Sequence, residues 1–152
     1  MRPKAVDEVL YQLTTKYVKM SPLTVSQGRV HNYFGMRLGY GTKRKVCITM
    51  PENIEGILEA AAYGMDGVSD TPEAHHMFQV REYGSMLTTM RTDLFRAIIE
   101  TILFAIWRAR LDLKTALDFL TKQVQNPDEK NYKNVARTIQ YIKRKRGMEL
   151  TL

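Results

Sequence analysis

The sequence lacks the features that mark most secreted proteins, membrane proteins and hydrolytic enzymes. One cysteine, Cys47, in 152 residues excludes a disulfide framework and any Cys-x-x-Cys metal knuckle, and suits a reducing, intracellular compartment. No stretch approaches the ~18 uncharged apolar residues of a membrane span. The richest run, 97–109, is broken by Glu100 and Arg108, so no membrane partner is expected. Near Met1, Arg2 and Lys4 are followed by Asp7 and Glu8, which is not a signal peptide. Neither Gly-x-Ser-x-Gly, Gly-x4-Gly-Lys-Ser/Thr nor His-Glu-x-x-His occurs, which leaves hydrolase, P-loop and zincin chemistry without support. There is no Asp-Asp pair either.

Basic residues dominate what is present: 23 Lys and Arg stand against 16 Asp and Glu, a formal charge of +7. The distribution says more than the total. Residues 1–50 carry 9 basic and 2 acidic side chains, 51–90 carry Arg81 against 7 acidic ones, and 91–152 carry 13 basic and 7 acidic. Two basic blocks flank an acidic middle, an arrangement that suits a phosphate backbone and equally a solvated surface. With 44% hydrophobic and 26% charged residues the chain has the composition of a globular domain.

Periodicity predicts an α+β fold, with helices packed on a β-hairpin and a mostly helical C-terminal half. Val6, Val9, Leu10, Leu13, Tyr17 and Val18 recur at three and four, one face of a helix that Ser21-Pro22 ends. Over 29–38, Val30, Asn32, Phe34, Met36 and Leu38 alternate with Arg29, His31, Tyr33 and Arg37, as in one strand. Gly39-Tyr40-Gly41-Thr42 reads as its turn and Lys45–Met50 as the returning strand, with Lys43, Arg44 and Lys45 beside the turn. Pro51 opens a helix with Ile54, Ile57, Leu58 and Ala61 inward, and 64–83 reads as a crossing loop. The strongest helix runs from about Thr92 to Arg108, its pairs Leu94-Phe95, Ile98-Ile99, Ile102-Leu103 and Ile106-Trp107 expected to face a core. A helix over 112–124 follows. Asn126 is the candidate N-cap of a last helix, with Pro127 in its first turn, and Gly147 stops it.

No catalytic or metal constellation emerges. His75 and His76 are adjacent and cannot share one face of a regular element, so they read as loop histidines, as does His31 on its strand. Cys47 alternates inward on its strand and reads as a small core residue. Met36, Met50 and Met65 read as core filler.

Arg29-Val30-His31-Asn32-Tyr33-Phe34-Gly35-Met36 resembles the Tyr-Leu-Gly-Ile/Met hairpin of copia-type retrotransposon reverse transcriptases. Further matches follow in that family's order. Thr71-Pro72-Glu73-Ala74 resembles its Thr-Pro-x-Ala stretch, and Ala109-Arg110-Leu111-Asp112-Leu113 its Ala/Thr-Arg-Pro-Asp-Ile turn. Asn126-Pro127, Tyr132 and Ile139-Gln140-Tyr141-Ile142-Lys143 resemble its Pro…Trp/Tyr…Leu-Lys-Tyr-Leu-Lys helix. The resemblance covers the chain from about Val6 to Leu152. Phe34 stands for a leucine, Leu111 for a proline, and Arg144-Lys145-Arg146-Gly147 where the family has Lys-Gly-Thr.

The resemblance implies residues 1–50 as the end of a palm with its primer-grip hairpin, 51–148 as thumb and connection, and 149–152 as the start of a following ribonuclease H domain. It implies a fragment of a Pol polyprotein from a transposable element. The Tyr-x-Asp-Asp loop that holds the parent enzyme's magnesium ions would lie before it, so neither an RNA-directed DNA polymerase centre nor a cofactor is expected in this chain. The implied partner is an RNA–DNA or DNA duplex, held through its backbone without sequence preference. Arg29, Tyr33, Gly35, Lys43, Arg44, Lys45, Arg137 and Lys143 are the candidate nucleic-acid contacts. Glu52, Glu55 and Glu59 would repel a duplex if they faced it. Cut from a palm, Val6, Leu10, Leu13 and the apolar face of 30–38 would favour self-association. The alternative is a stand-alone basic helical module that binds nucleic acid or protein without catalysis.

Overall fold

In the computed structural model, residues 4–17, 22–41, 45–61, 65–79 and 84–152 are described. Two segments build the sheet. The first supplies β1 (Val30–Tyr33), β2 (Met36–Tyr40) and β3 (Val46–Thr49), and the C-terminus supplies β4 (Leu150–Thr151). Helix α1 (Lys4–Tyr17) precedes them; α2 (Pro51–Ala60), α3 (Thr89–Ile106), α4 (Lys114–Leu120) and α5 (Glu129–Arg144) lie between β3 and β4. The fold is α+β, with a four-stranded antiparallel sheet in the order β1-β2-β3-β4.

The hairpin differs from the sequence expectation. Residues 29–38 are not one strand, because the chain reverses at Phe34-Gly35 and Tyr33 pairs with Met36. Both turn residues have positive φ, 48° and 74°, the geometry whose twist matches that of the flanking strands. A two-residue turn changes the parity of the faces. Met36 and Leu38 share theirs with Val46, Ile48 and Leu150 and pack on the core, while Val30 lies on the other face and is 52% exposed. The same register sets Cys47 opposite Gly39 and Thr151 on the outer face, its Sγ 3.8 Å from the Thr151 hydroxyl. It is therefore not the inward core residue that simple alternation implied.

Helices α2, α3, α4 and α5 enclose the core. Pro51 starts α2 at once after β3, and Ile54, Ile57 and Ala61 are buried as expected. Helix α3 departs from expectation at its end. Apolar residues spaced by four drift about 40° per step around a helix of 3.6 residues per turn. From Phe95 (0% exposed) to Ile99 (1%) to half-buried Leu103, the stripe winds off the core, and Trp107 is 68% exposed. The expected helix over 112–124 is a 3₁₀ turn (Leu111–Leu113), α4 and a second 3₁₀ turn (Thr121–Gln123). The N-cap of α5 is Asp128 rather than Asn126, its carboxylate accepting from the Asn131 amide at 2.7 Å, while Pro127 sits just outside the helix.

The last helix is the most deeply embedded polar element. It buries Tyr132, Val135, Ile139, Tyr141 and Ile142, and also Asn131, Asn134 and Thr138. The loop over 65–79 lies against it. Thr138 donates to the Pro72 carbonyl at 3.0 Å, Gln140 to the Asp66 carbonyl at 2.6 Å, and Arg144 pairs with Asp70 at 2.8 Å. From the other side, Arg91 pairs with Glu129 and lies 4.1 Å over the Tyr132 ring. Arg96 donates to the carbonyls of Val124 and Gln125, which fixes the connection from α4.

A buried cation, Arg110, sits at the corner between α3 and α4. The amides of Arg108, Ala109 and Arg110 all converge on the Ala105 carbonyl and end α3. That turn places Arg110, 1% exposed, against Asp112 in a two-pronged pair at 2.9 and 2.8 Å. Its guanidinium carbon is 5.8 Å from the Tyr141 ring centroid. Burial, then the charge of Asp112 and a hydrogen bond to it, hold the Tyr141 phenol above the usual tyrosine range, with Arg110 opposing.

Two outcomes follow from this corner. Asp112→Ala leaves a buried guanidinium unpaired and should cost about 3–5 kcal/mol in urea unfolding, whereas Arg110→Met with Asp112→Leu should recover most of that loss. Tyr141 keeps its proton in the folded state after the unfolded chain has released it near pH ~10. Its contribution is therefore complete below that pH and lost as pH rises through the folded value. Thermal melts should fall more steeply above pH ~10 for the parent than for Tyr141→Phe, once each is compared with its own neutral-pH melt.

Candidate nucleic-acid interface

Strand geometry divides the candidate contacts into groups. The Tyr40 amide donates to the Arg29 carbonyl at 2.7 Å and the Gly41 amide to the Lys45 carbonyl at 3.0 Å. Arg29 and Lys45 are thereby brought to one end of the sheet, both exposed. Lys43 and Arg44, at the same turn in sequence, lie outside the described residues. Tyr33 and Gly35 occupy the opposite end of the hairpin.

On α5 the two remaining candidates part company. Six residues separate Arg137 from Lys143, about 120° around the helix axis. Arg137 is half-buried and turned to the acidic loop, donating to the Thr71 hydroxyl at 3.0 Å. It lines a cleft of about 510 Å³ with Glu73, His75 and Phe78. Lys143 is exposed in the last turn, next to Arg144, Lys145 and Arg146, where cations also complement the helix dipole. Glu52, Glu55 and Glu59 are all solvent-exposed on α2.

The histidines lie apart from one another chemically. His31 is held by the Ser26 hydroxyl at 2.7 Å and the Gly28 carbonyl at 2.9 Å. Because that carbonyl only accepts, the proton of the neutral ring is on Nε2. His75 and His76 are exposed in the loop. Among the described residues no group of three or more His, Cys, Asp or Glu side chains could hold a metal ion. No helix among them is long and apolar enough to cross a membrane.

Sequence reasoning named Tyr33 and Gly35 as contacts but not the exposed Phe34 between them. Tyr33 and Phe34 meet edge to face with centroids 4.7 Å apart, 59% and 69% exposed. A side chain at Gly35 would come within 3.7 Å of Phe104 Cε1, so the tip abuts α3. One turn further on lies Trp107, and the Arg108 guanidinium sits 3.7 Å over the Phe104 ring. The winding of a four-residue spacing was the signal that could have placed Trp107 outside.

No family model, curated protein or solved structure matches the chain. The surface itself must carry the functional argument.

The tip tests its own construction. Gly35→Ala puts a Cβ on a backbone at φ 74° and should destabilise the fold by about 1–2 kcal/mol, read as a lower urea midpoint at unchanged slope.

Proposed function

We propose that the chain is a non-catalytic nucleic-acid-binding piece of a copia-type reverse-transcriptase-like Pol polyprotein, which grips a template–primer duplex through its phosphates. The observation that carries this reading is how the charges are sorted. The acidic loop is turned onto α5, where Arg144 takes Asp70 and Arg137 takes Thr71. Arg29 and Lys45 at the sheet end, and Lys143, Lys145 and Arg146 at the end of α5, stay exposed. A set of exposed cations on rigid elements matches a regularly charged backbone without reading its sequence. The four motifs in family order support the same reading.

The alternative is a stand-alone interaction module. What favours it is α1, which buries no residue and leaves Val6, Val9 and Leu13 exposed for a second copy or a protein partner.

Anisotropy titration of an RNA–DNA hybrid across salt separates the two. Replacing Arg29, Lys45 and Lys143 together by Ala should lower the salt slope by roughly 2–3, close to ~0.9 per lost phosphate contact. Arg137→Ala should leave that slope unchanged while lowering stability. No salt-dependent binding by the parent would sink the duplex reading in favour of the alternative.

A further inference from the structure

The cleft between the acidic loop and α5 holds a hydroxyl beside a cation with an unused donor. Thr71 is exposed in the loop, and its hydroxyl donates to the Glu73 carbonyl at 2.8 Å while accepting from Arg137 Nη2 at 3.0 Å. The adjacent Arg137 Nε has no hydrogen-bond partner among the described residues. Nε and Nη2 lie on one edge of a guanidinium, the same fork with which Arg110 holds both carboxylate oxygens of Asp112. A single hydroxyl oxygen fills half of that fork. A phosphate carried on Thr71 would offer two terminal oxygens, one for each arm. The cleft of about 510 Å³ has room for the group, and His75 lines it as well.

The chain around Thr71 suits an enzyme that would place a phosphate there. Pro72 follows it, which removes a backbone donor and steers Thr71 toward extended backbone. A protein kinase that binds its substrate extended, and selects proline after the acceptor, meets both conditions here. Residues 65–73 form no helix or strand, and α5 fastens them through side chains: Thr138 onto the Pro72 carbonyl and Gln140 onto that of Asp66. The loop can therefore lift from α5 without opening a helix or a strand. Nearby charges both favour and oppose the phosphate. Asp70 is taken up by Arg144 at 2.8 Å, whereas Glu73 lines the cleft with an unpartnered Oε2 and opposes a second anion. Arg137 favours it.

We propose that Thr71 is a phosphorylation site for a proline-directed protein kinase using ATP, and that Arg137 receives the phosphate and clamps the loop onto α5. The Thr71 oxygen forms a bond to the γ-phosphorus of ATP as the bond from that phosphorus to its bridging oxygen breaks. ADP leaves, and the hydroxyl proton passes to the kinase's base. The hydrogen bond to the Glu73 carbonyl is lost in the exchange. Charge-assisted bonds to both arms of Arg137 replace it, each roughly twice as strong as a neutral one. The proposal stands apart from the nucleic-acid reading, because it needs only the loop, α5 and the kinase.

The full chain is treated with magnesium ATP and a mitogen-activated protein kinase, and the modified residue is located by mass spectrometry of proteolytic fragments. The chain's other Ser/Thr-Pro pair, Ser21-Pro22, is the internal comparison. Phosphate should enter at Thr71 and raise the melting temperature by about 3–6 °C. Arg137→Ala should still accept phosphate but lose that gain. Arg137→Lys, which keeps the charge without the fork, should retain only part of it. Phosphorus NMR of the unsubstituted chain reads the same contact with no variant: the second ionisation of the phosphate should lie lower in the folded chain than in urea. No incorporation at Thr71, under conditions that fully modify a Thr-Pro reference peptide, overturns the site. Incorporation with an unchanged melt and an unshifted ionisation overturns Arg137 as the receiver. A melt raised by millimolar inorganic phosphate on the unmodified chain, without incorporation at Thr71, assigns the cleft to a free anion and overturns the proposal.

Discussion

A buried guanidinium constrains this fold more than any other single group. Arg110 is held between Asp112, two residues along, and the ring of Tyr141 on α5, so the end of α3, the start of α4 and the last full turn of α5 must meet at one point. A buried charge is tolerated only where its partner is fixed. One arm stays unsatisfied, since Nη1 has no hydrogen-bond partner among the described residues, so the pair specifies geometry more than it adds stability. The convergence of three amides on the Ala105 carbonyl aims the side chain inward and turns Trp107 outward in the same few residues. The buried corner and the exposed Trp107 thus share one cause.

The charge asymmetry of the chain acquires a structural role in the same way. An acidic middle between basic blocks looks self-defeating for a binder of phosphates. Folding lays the acidic loop along α5, where half-buried Arg137 donates to the Thr71 hydroxyl and Arg144, still exposed, pairs with Asp70. Arg29 and Lys45 at the sheet end and Lys143, Lys145 and Arg146 at the end of α5 remain in solvent. The exposed Arg144–Asp70 pair contributes little energy. Its consequence lies in the cation it occupies.

Much of the architecture was legible locally. Pro51 at a first helical position, the spacing of Ile54 and Ile57, and the face of Tyr132, Val135, Ile139 and Ile142 all fold as their periodicity implied. The strand of 29–38 did not, because a two-residue turn with both residues at positive φ has no strong signature when Phe34 takes the place usually held by Asn. That one reversal moved Val30 off the core face, and the register it fixes sets Cys47 outward. Of the candidate contacts, Arg29, Tyr33, Gly35, Lys45 and Lys143 lie exposed, while Arg137 is drawn into the loop by Thr71, sixty-six residues away in the chain.

By itself the sequence determined the mixture of one β-hairpin region and amphipathic helices, the excess of basic charge, and the absence of an Asp-Asp pair. Periods of two and 3.6 are local properties of the backbone, so they can be read residue by residue. Only the tertiary structure decided which cations stay in solvent, which face of β1 is wet, and that the hairpin tip abuts Phe104. Those outcomes depend on contacts between residues far apart in the chain, and each is settled by packing against a partner that no local window contains.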